Sequence, residues 1–105
     1  MEIPSNEFFD SLGQYVYKFI GSEGELLYYG KGNGSRCLSH ITDKDYDLEN
    51  CYIIARNLER FDGETKQDWQ SFLLESFLIQ YEDPRDNSVS GHYKECFIMT
   101  SLSSM

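Results

Sequence analysis

The chain has 105 residues, of which 40% are hydrophobic and 15% aromatic, and its net charge is −9. That length and apolar share fit one folded domain over residues 1–105 with a modest core, and argue against a disordered chain. The acidity disfavours a broad grip on nucleic acid, which ordinarily uses a basic surface.

No apolar run approaches the roughly 20 residues needed to cross a bilayer, so no membrane partner is expected. The opening MEIPSNEFFD carries acids and no basic stretch, unlike a secretory leader, and a cytoplasmic protein is expected. Cys37, Cys51 and Cys96 are odd in number and widely spaced. They read as reduced thiols, not as a disulfide framework or a zinc site.

Residues 1–13 read as an irregular or short helical lead-in. Residues 15–20 (YVYKFI) are β-branched and aromatic, the composition of a strand. The cluster GSEGE at 21–25 reads as a turn, and LLYY at 26–29 as a second strand, so 15–29 predicts a β-hairpin. Gly30, Lys31, Gly32, Asn33 and Gly34 then predict a flexible loop, Ser35 to Ile41 a short helix, and 43–50 a polar loop. CYIIARNL at 51–58 predicts a third strand.

Thr65 and Asp68 resemble a capping box ahead of WQSFLLESFLIQY at 69–81. That helix is apolar nearly all round, which predicts a central element covered on several sides, and Pro84 stops it. CFIMT at 96–100 predicts a last short strand. The order fits an α+β fold, a small three-stranded antiparallel sheet flanked by helices.

Four features bear on chemistry. Tyr17 and Tyr28 lie on adjacent strands of the hairpin, with Tyr15 on the face of Tyr17 and Val16 on the other. Taken alone, two tyrosines at a core edge are ordinary structure. Arg36 and His40 stand at i,i+4, on one face of a helix. An arginine fork suits phosphate oxygens, and a histidine titrates near neutral pH. Taken alone, a surface arginine and a stray histidine explain that pair better.

Glu75 is the most telling residue. It sits within FLLESFLI, where a buried carboxylate without a partner costs several kcal/mol, roughly. A divalent cation is one natural partner, and an arginine such as Arg36 or Arg56 is another. The fourth feature is the glycine-rich stretch, in which Gly30 and Gly32 would let backbone amides approach an anion while Lys31 adds charge. It lacks the spacing of a nucleotide P-loop.

The charge is unevenly spread. Residues 15–40 hold Lys18, Lys31 and Arg36 against Glu23 and Glu25, a local balance of +1. The acids crowd at Asp43, Asp45, Asp47 and Glu49, and again at Glu82, Asp83 and Asp86, both of which read as solvated surface.

In order and spacing, YVYKF, then YYGKG, then R-x-x-x-H, then a glutamate inside an apolar helix resemble the GIY-YIG nuclease superfamily. The stretch GKGNGSR resembles the subset that reads YxGKGxGxR. The resemblance covers residues 15–87, and two positions depart from it: Tyr15 stands where glycine is usual, and Tyr29 where isoleucine or valine is.

The resemblance implies a metal-dependent endonuclease that hydrolyses phosphodiester bonds in DNA, with Tyr17, Tyr28, Arg36, His40, Glu75 and Asn87 as the catalytic set. Lys31, Gly30 and Gly32 would bind substrate. Glu75 would hold a single Mg²⁺ or Mn²⁺. Tyr17, with His40, would deprotonate or orient the attacking water, and Arg36 would offset charge on the phosphate. Tyr28 would bond near the nucleophile, and Asn87 would support the site. An ordinary tyrosine has a pKa near roughly 10, so Tyr17 acts as a base only if cations lower it.

With no second DNA-binding module and an acidic surface, selectivity would come from a homodimer, a partner protein, or branched or nicked DNA. A bacterial or phage setting fits the small stand-alone domain. The alternative reading is a non-enzymatic acidic module, either a mimic of DNA or an inactive nuclease fold used for interaction.

Overall fold

In a computed structural model of the chain, residues 3–58 and 69–87 are described. The capping pair Thr65 and Asp68 and the strand expected at 96–100 lie outside them. A short helix, α1 (Asn6–Ser11), opens the described chain. Ser5 caps it by accepting from the Phe8 N–H at 3.2 Å. Then come β1 (Gln14–Ile20) and β2 (Leu26–Gly32). A 3₁₀ turn (Arg36–Leu38) leads into α2 (Ser39–Asp43), and a second 3₁₀ turn (Leu48–Asn50) into β3 (Cys51–Leu58). The last described helix is α3 (Trp69–Glu82).

The three strands form one antiparallel sheet in the order β2-β1-β3, flanked by helices, and the fold class is α+β. The hairpin turn closes where expected: the Gly21 N–H donates to the Glu25 carbonyl at 2.8 Å. β1 sits at the centre and is the most buried strand. Tyr15, Tyr17 and Phe19 project from one of its faces into an aromatic core with Phe9, Leu12, Leu27, Cys37 and Tyr46. Val16 is buried on the opposite face.

Three expectations need correction. β2 runs on to Gly32, with Gly30, Lys31 and Gly32 opposite Tyr17, Val16 and Tyr15 in the ladder. The glycine stretch is therefore mostly strand, held by pairing that outweighs glycine's low β-propensity. The helix expected over 35–41 is a 3₁₀ turn followed by a single α-helical turn.

The third correction concerns α3, which is inverted. Its buried side chains are Ser71, Ser76 and Ile79, while Leu73, Phe77 and Tyr81 are 40%, 43% and 78% exposed. The small serines face inward, and α3 packs chiefly on β2 with a lesser contact to β1. The helix ends as Asp83 turns to a left-handed conformation (φ 49°) and donates its N–H to the Ile79 carbonyl at 3.0 Å, before Pro84. Among the described residues, no helix is long and apolar enough to cross a membrane.

Candidate active site

The site is built on one rung of the sheet. Tyr17 of β1 faces Gly30 of β2, and its ring lies directly over that glycine. A Cβ at Gly30 would stand 2.3 Å from Tyr17 Cζ, so any side chain there would expel the ring. Tyr28 faces Phe19 two rungs along, on the same side of the sheet. The Tyr17 and Tyr28 ring centroids are 6.4 Å apart. The two tyrosines are diagonal neighbours, close enough for long aromatic side chains to interact.

His40 of α2 completes the cluster. Its Nε2 lies 2.7 Å from the Tyr17 hydroxyl, and its ring centroid is 4.5 Å from that of Tyr28. Which of the two partners donates depends on the imidazole tautomer. Tyr17 is 1% exposed, so its hydroxyl is spoken for by His40 rather than open to solvent. His40 and Tyr28 are half-buried.

Arg36 and His40 reach the cluster in different ways. The change from 3₁₀ to α-helical winding between them removes the simple i,i+4 stacking. Arg36 lays its aliphatic stem over Gly32, with a Cβ at that glycine falling 2.5 Å from Arg36 Cδ, and the residue is exposed. Its charge opposes the rise in the pKa of both tyrosines but does not win. Burial raises Tyr17 above its ordinary value of 10.0, with Tyr28 adding to the effect. Tyr28 is raised by burial and then by the negative charge of Glu75. Both phenols therefore keep their protons near neutral pH, and Tyr17 is not poised as a free tyrosinate base.

Glu75 is half-buried, not fully buried, and its charge reaches Tyr28. Tyr17, Tyr28, Arg36, His40 and Glu75 thus gather from five separate elements. Among the described residues, no group of three or more His, Cys, Asp and Glu side chains converges.

Asn87 does not point into the cluster. It is buried, and its amide clamps the backbone of Tyr29: the Tyr29 N–H donates to Oδ1 at 2.9 Å, and Nδ2 donates to the Tyr29 carbonyl at 2.9 Å. Two more bonds continue the clamp. The Arg85 and Asp86 N–H groups donate to the Leu26 and Leu27 carbonyls at 3.3 and 2.9 Å. Asn87 is a positioning residue that holds β2 where Tyr28 leaves it.

Lys31, by alternation, leaves β2 on the face opposite Tyr28 and Gly30. Gly30 and Gly32 make room for Tyr17 and Arg36, which differs from the anion-cradling role expected of them.

Four contributors were not legible as such. The Tyr15 hydroxyl donates to the Gly34 carbonyl at 2.5 Å and accepts from the Cys37 N–H at 3.3 Å, which pins the turn bearing Arg36. The Tyr29 hydroxyl donates to Glu82 at the end of α3. Lys44 places Nζ 5.4 Å from the centre of the Tyr28 ring, a cation–π contact at the rim of the cluster. Tyr46 packs on Phe19 with centroids 4.9 Å apart, and its hydroxyl donates to Asp86 Oδ2 at 2.6 Å. Tyr15 and Tyr29 could have been found as the two positions that depart from the motif. Lys44 and Tyr46 sit on an irregular segment with no periodic signal.

No family model, curated protein or solved structure matches this chain. The cluster itself has a definite chemical make-up. It joins a hydrogen-bonded phenol–imidazole pair, a second phenol, a guanidinium and a carboxylate, beside one exposed lysine. Such a set can move a proton, bind an anionic oxygen and hold a hard cation.

The two acidic runs divide in use. Asp45, Asp47 and Glu49 are exposed, as expected for solvated surface. Glu82 and Asp86 hold tyrosine hydroxyls. Asp86 also takes a bidentate bond from Arg85, at 2.9 and 3.0 Å. Those bonds, Arg85 first and Tyr46 second, hold its carboxyl below the usual 3.8.

Proposed function

We propose that the protein is a metal-dependent endonuclease of the GIY-YIG type that hydrolyses phosphodiester bonds in DNA. The observation that carries this reading is the convergence of Tyr17, Tyr28, Arg36, His40 and Glu75 on one cluster. A chance set of core-edge residues has no reason to bring the cation, the carboxylate and the phenol–imidazole pair together.

The donors available fit Mg²⁺ or Mn²⁺. A single half-buried carboxylate, Glu75, with the Tyr28 hydroxyl nearby, offers hard oxygen and no thiolate, and Mg²⁺ commonly takes one or two carboxylates and fills its shell with water and phosphate oxygens. Bound at Glu75, the cation would supply Lewis-acid stabilisation of charge on the phosphate.

The chain's own residues divide the remaining work. Arg36, exposed on its stem over Gly32, binds a non-bridging phosphate oxygen. Tyr28 donates its proton in a hydrogen bond to the phosphate or the nucleophile, which its raised pKa allows. The Tyr17 oxygen takes the proton of the attacking water as the Tyr17 proton passes to His40 Nε2, so no free tyrosinate, which burial disfavours, has to form. Tyr17 acts chiefly through His40. Tyr15, Tyr29 and Asn87 hold the strands and the Arg36 turn in register.

The test uses the full chain with Mg²⁺ on supercoiled, linear, single-stranded and branched DNA, and on RNA. At least one DNA form is nicked or cut, and Glu75→Gln removes the activity. Cleavage that survives Glu75→Gln sinks the metal assignment, and no cleavage of any substrate sinks the nuclease reading. Because the chain carries −9, a second copy, a partner protein or a branched or nicked substrate supplies most of the grip.

That charge, with Asp45, Asp47 and Glu49 exposed, favours a second reading: an acidic module that competes with DNA for a protein partner. Competition without metal-dependent cleavage distinguishes it.

A further inference from the structure

Two of the three cysteines meet in the fold although they are far apart in the chain. Cys37 follows Arg36 in the 3₁₀ turn, and Cys51 is the first residue of β3, opposite Phe19. Both are free thiols. They share the lining of an apolar pocket of about 240 Å³ with Phe8, Phe9, Leu48 and Ile53. Each thiol lies within hydrogen-bonding influence of the other, the largest effect on the proton affinity of both. None of these groups belongs to the proposed nuclease cluster.

We propose that Cys37 and Cys51 form a peroxide-oxidisable dithiol, closing to a reversible disulfide that ties the Arg36-bearing turn to the start of β3. The pocket gives a small neutral oxidant a route to a residue that is otherwise 1% exposed, since 240 Å³ is several water volumes at roughly 30 Å³ each.

The pair divides the labour. The hydrogen bond from Cys51 lowers Cys37 below the ordinary thiol value, against the opposing effect of burial, which favours its thiolate. The same bond, with burial behind it, pushes Cys51 up and keeps it a thiol. Thiolate character marks the attacking cysteine, and a thiol beside it marks the resolving one.

The chemistry balances with hydrogen peroxide as the named oxidant. Cys37 sulfur attacks one peroxide oxygen, the O–O bond breaks, and the departing hydroxide takes a proton to become water. Cys37 is left as the sulfenic acid. Its negative charge is then gone, so Cys51 loses the influence that held its proton. Cys51 sulfur attacks Cys37 sulfur, the S–O bond breaks, and the leaving hydroxide combines with the Cys51 proton as a second water. Two thiols and one peroxide become one disulfide and two waters.

The test is peptide mapping of the full-length Cys96→Ser chain after treatment with stoichiometric peroxide in the absence of metal. A Cys37–Cys51 cross-linked peptide that disappears with dithiothreitol is expected. Cys51→Ser should accumulate a Cys37 sulfenic acid that dimedone traps, and Cys37→Ser should leave Cys51 unmodified under the same conditions. Absence of the cross-link, or equal oxidation of Cys51 in Cys37→Ser, overturns the proposal. If Cys96→Ser does not fold, the unsubstituted chain is mapped instead. The same pairing supports the proposal, and pairing of either residue with Cys96 defeats it. The readout involves no cleavage, so it fails or succeeds separately from the nuclease reading.

Discussion

The two outer strands of the sheet are held very differently. Over 26–29 β2 alternates half-buried and buried side chains, and its free edge is bonded along the same stretch by the segment 85–87. β3 has no fully buried side chain, turns Tyr52 and Ile54 outward, and beyond its ladder with β1 is tied through the Asn57 N–H to the Leu12 carbonyl at 2.8 Å. Rigidity is concentrated on the strand that carries Tyr28 and frames Tyr17. A site that depends on relative side-chain positions needs its supporting backbone fixed, and an exposed edge does not need the same care.

The contrast is broken most severely at the rung itself. Tyr17→Phe removes the hydroxyl on His40, and cleavage should fall by about 10²–10⁴-fold in kcat with little change in KM, as measured by steady-state kinetics. Its stability should change by only about 1 kcal/mol, so a urea melt separates a lost proton partner from a lost fold.

Next in size is the clamp. Asn87→Ala strands a backbone N–H and a carbonyl of buried Tyr29, and the loss should be about 2–4 kcal/mol in urea denaturation, at roughly 1–3 kcal/mol for each orphaned group. Asn87→Asp should recover only part of this, because an acceptor then faces the Tyr29 carbonyl. Gly30→Ala should cost about 1–3 kcal/mol through overpacking against Tyr17, with a changed near-ultraviolet circular dichroism of the displaced ring.

A smaller effect is tied to acid. Asp86 is held below 3.8, so the stability it contributes is present above that pH and is lost as pH falls through its folded value. Asp86→Asn should therefore flatten the acid limb of a urea-midpoint profile below about pH 4. The effect is modest because the ion pair with Arg85 is exposed to solvent. Least of all, Ile54→Thr on the outward face of β3 should stay within about 0.5 kcal/mol, and a larger loss would undo the comparison.

Much of the scaffold was legible because it rests on local signals. The hairpin, the third strand and the long helix follow from β-branched runs, a glycine turn and a proline stop. Glu75 stands out in the sequence because a charged residue in an apolar run is costly to bury, whereas the fold leaves it half-buried. The reach of β2 to Gly32 was not, since glycine and lysine are poor strand formers and only the partner strand decides. Nor was the inversion of α3: a run with large residues on nearly every face does not say which face is covered, and the answer lay in the small size of Ser71 and Ser76. The sequence pattern points to Asn87 as a site residue, but its work is on a backbone 58 positions away, which spacing does not reveal.

That separation has a consequence in time. A contact across 58 positions closes a long loop, and its entropy must be met before the clamp returns any stability. The hairpin can therefore pair early, while the edge that seats Tyr28 locks only after α3 has docked. On this order, Asn87→Ala should leave the refolding rate nearly unchanged and speed unfolding instead, the mark of an interaction absent from the transition state. Equal slowing of refolding in stopped-flow traces would place the clamp in the nucleus and reverse the sequence of events.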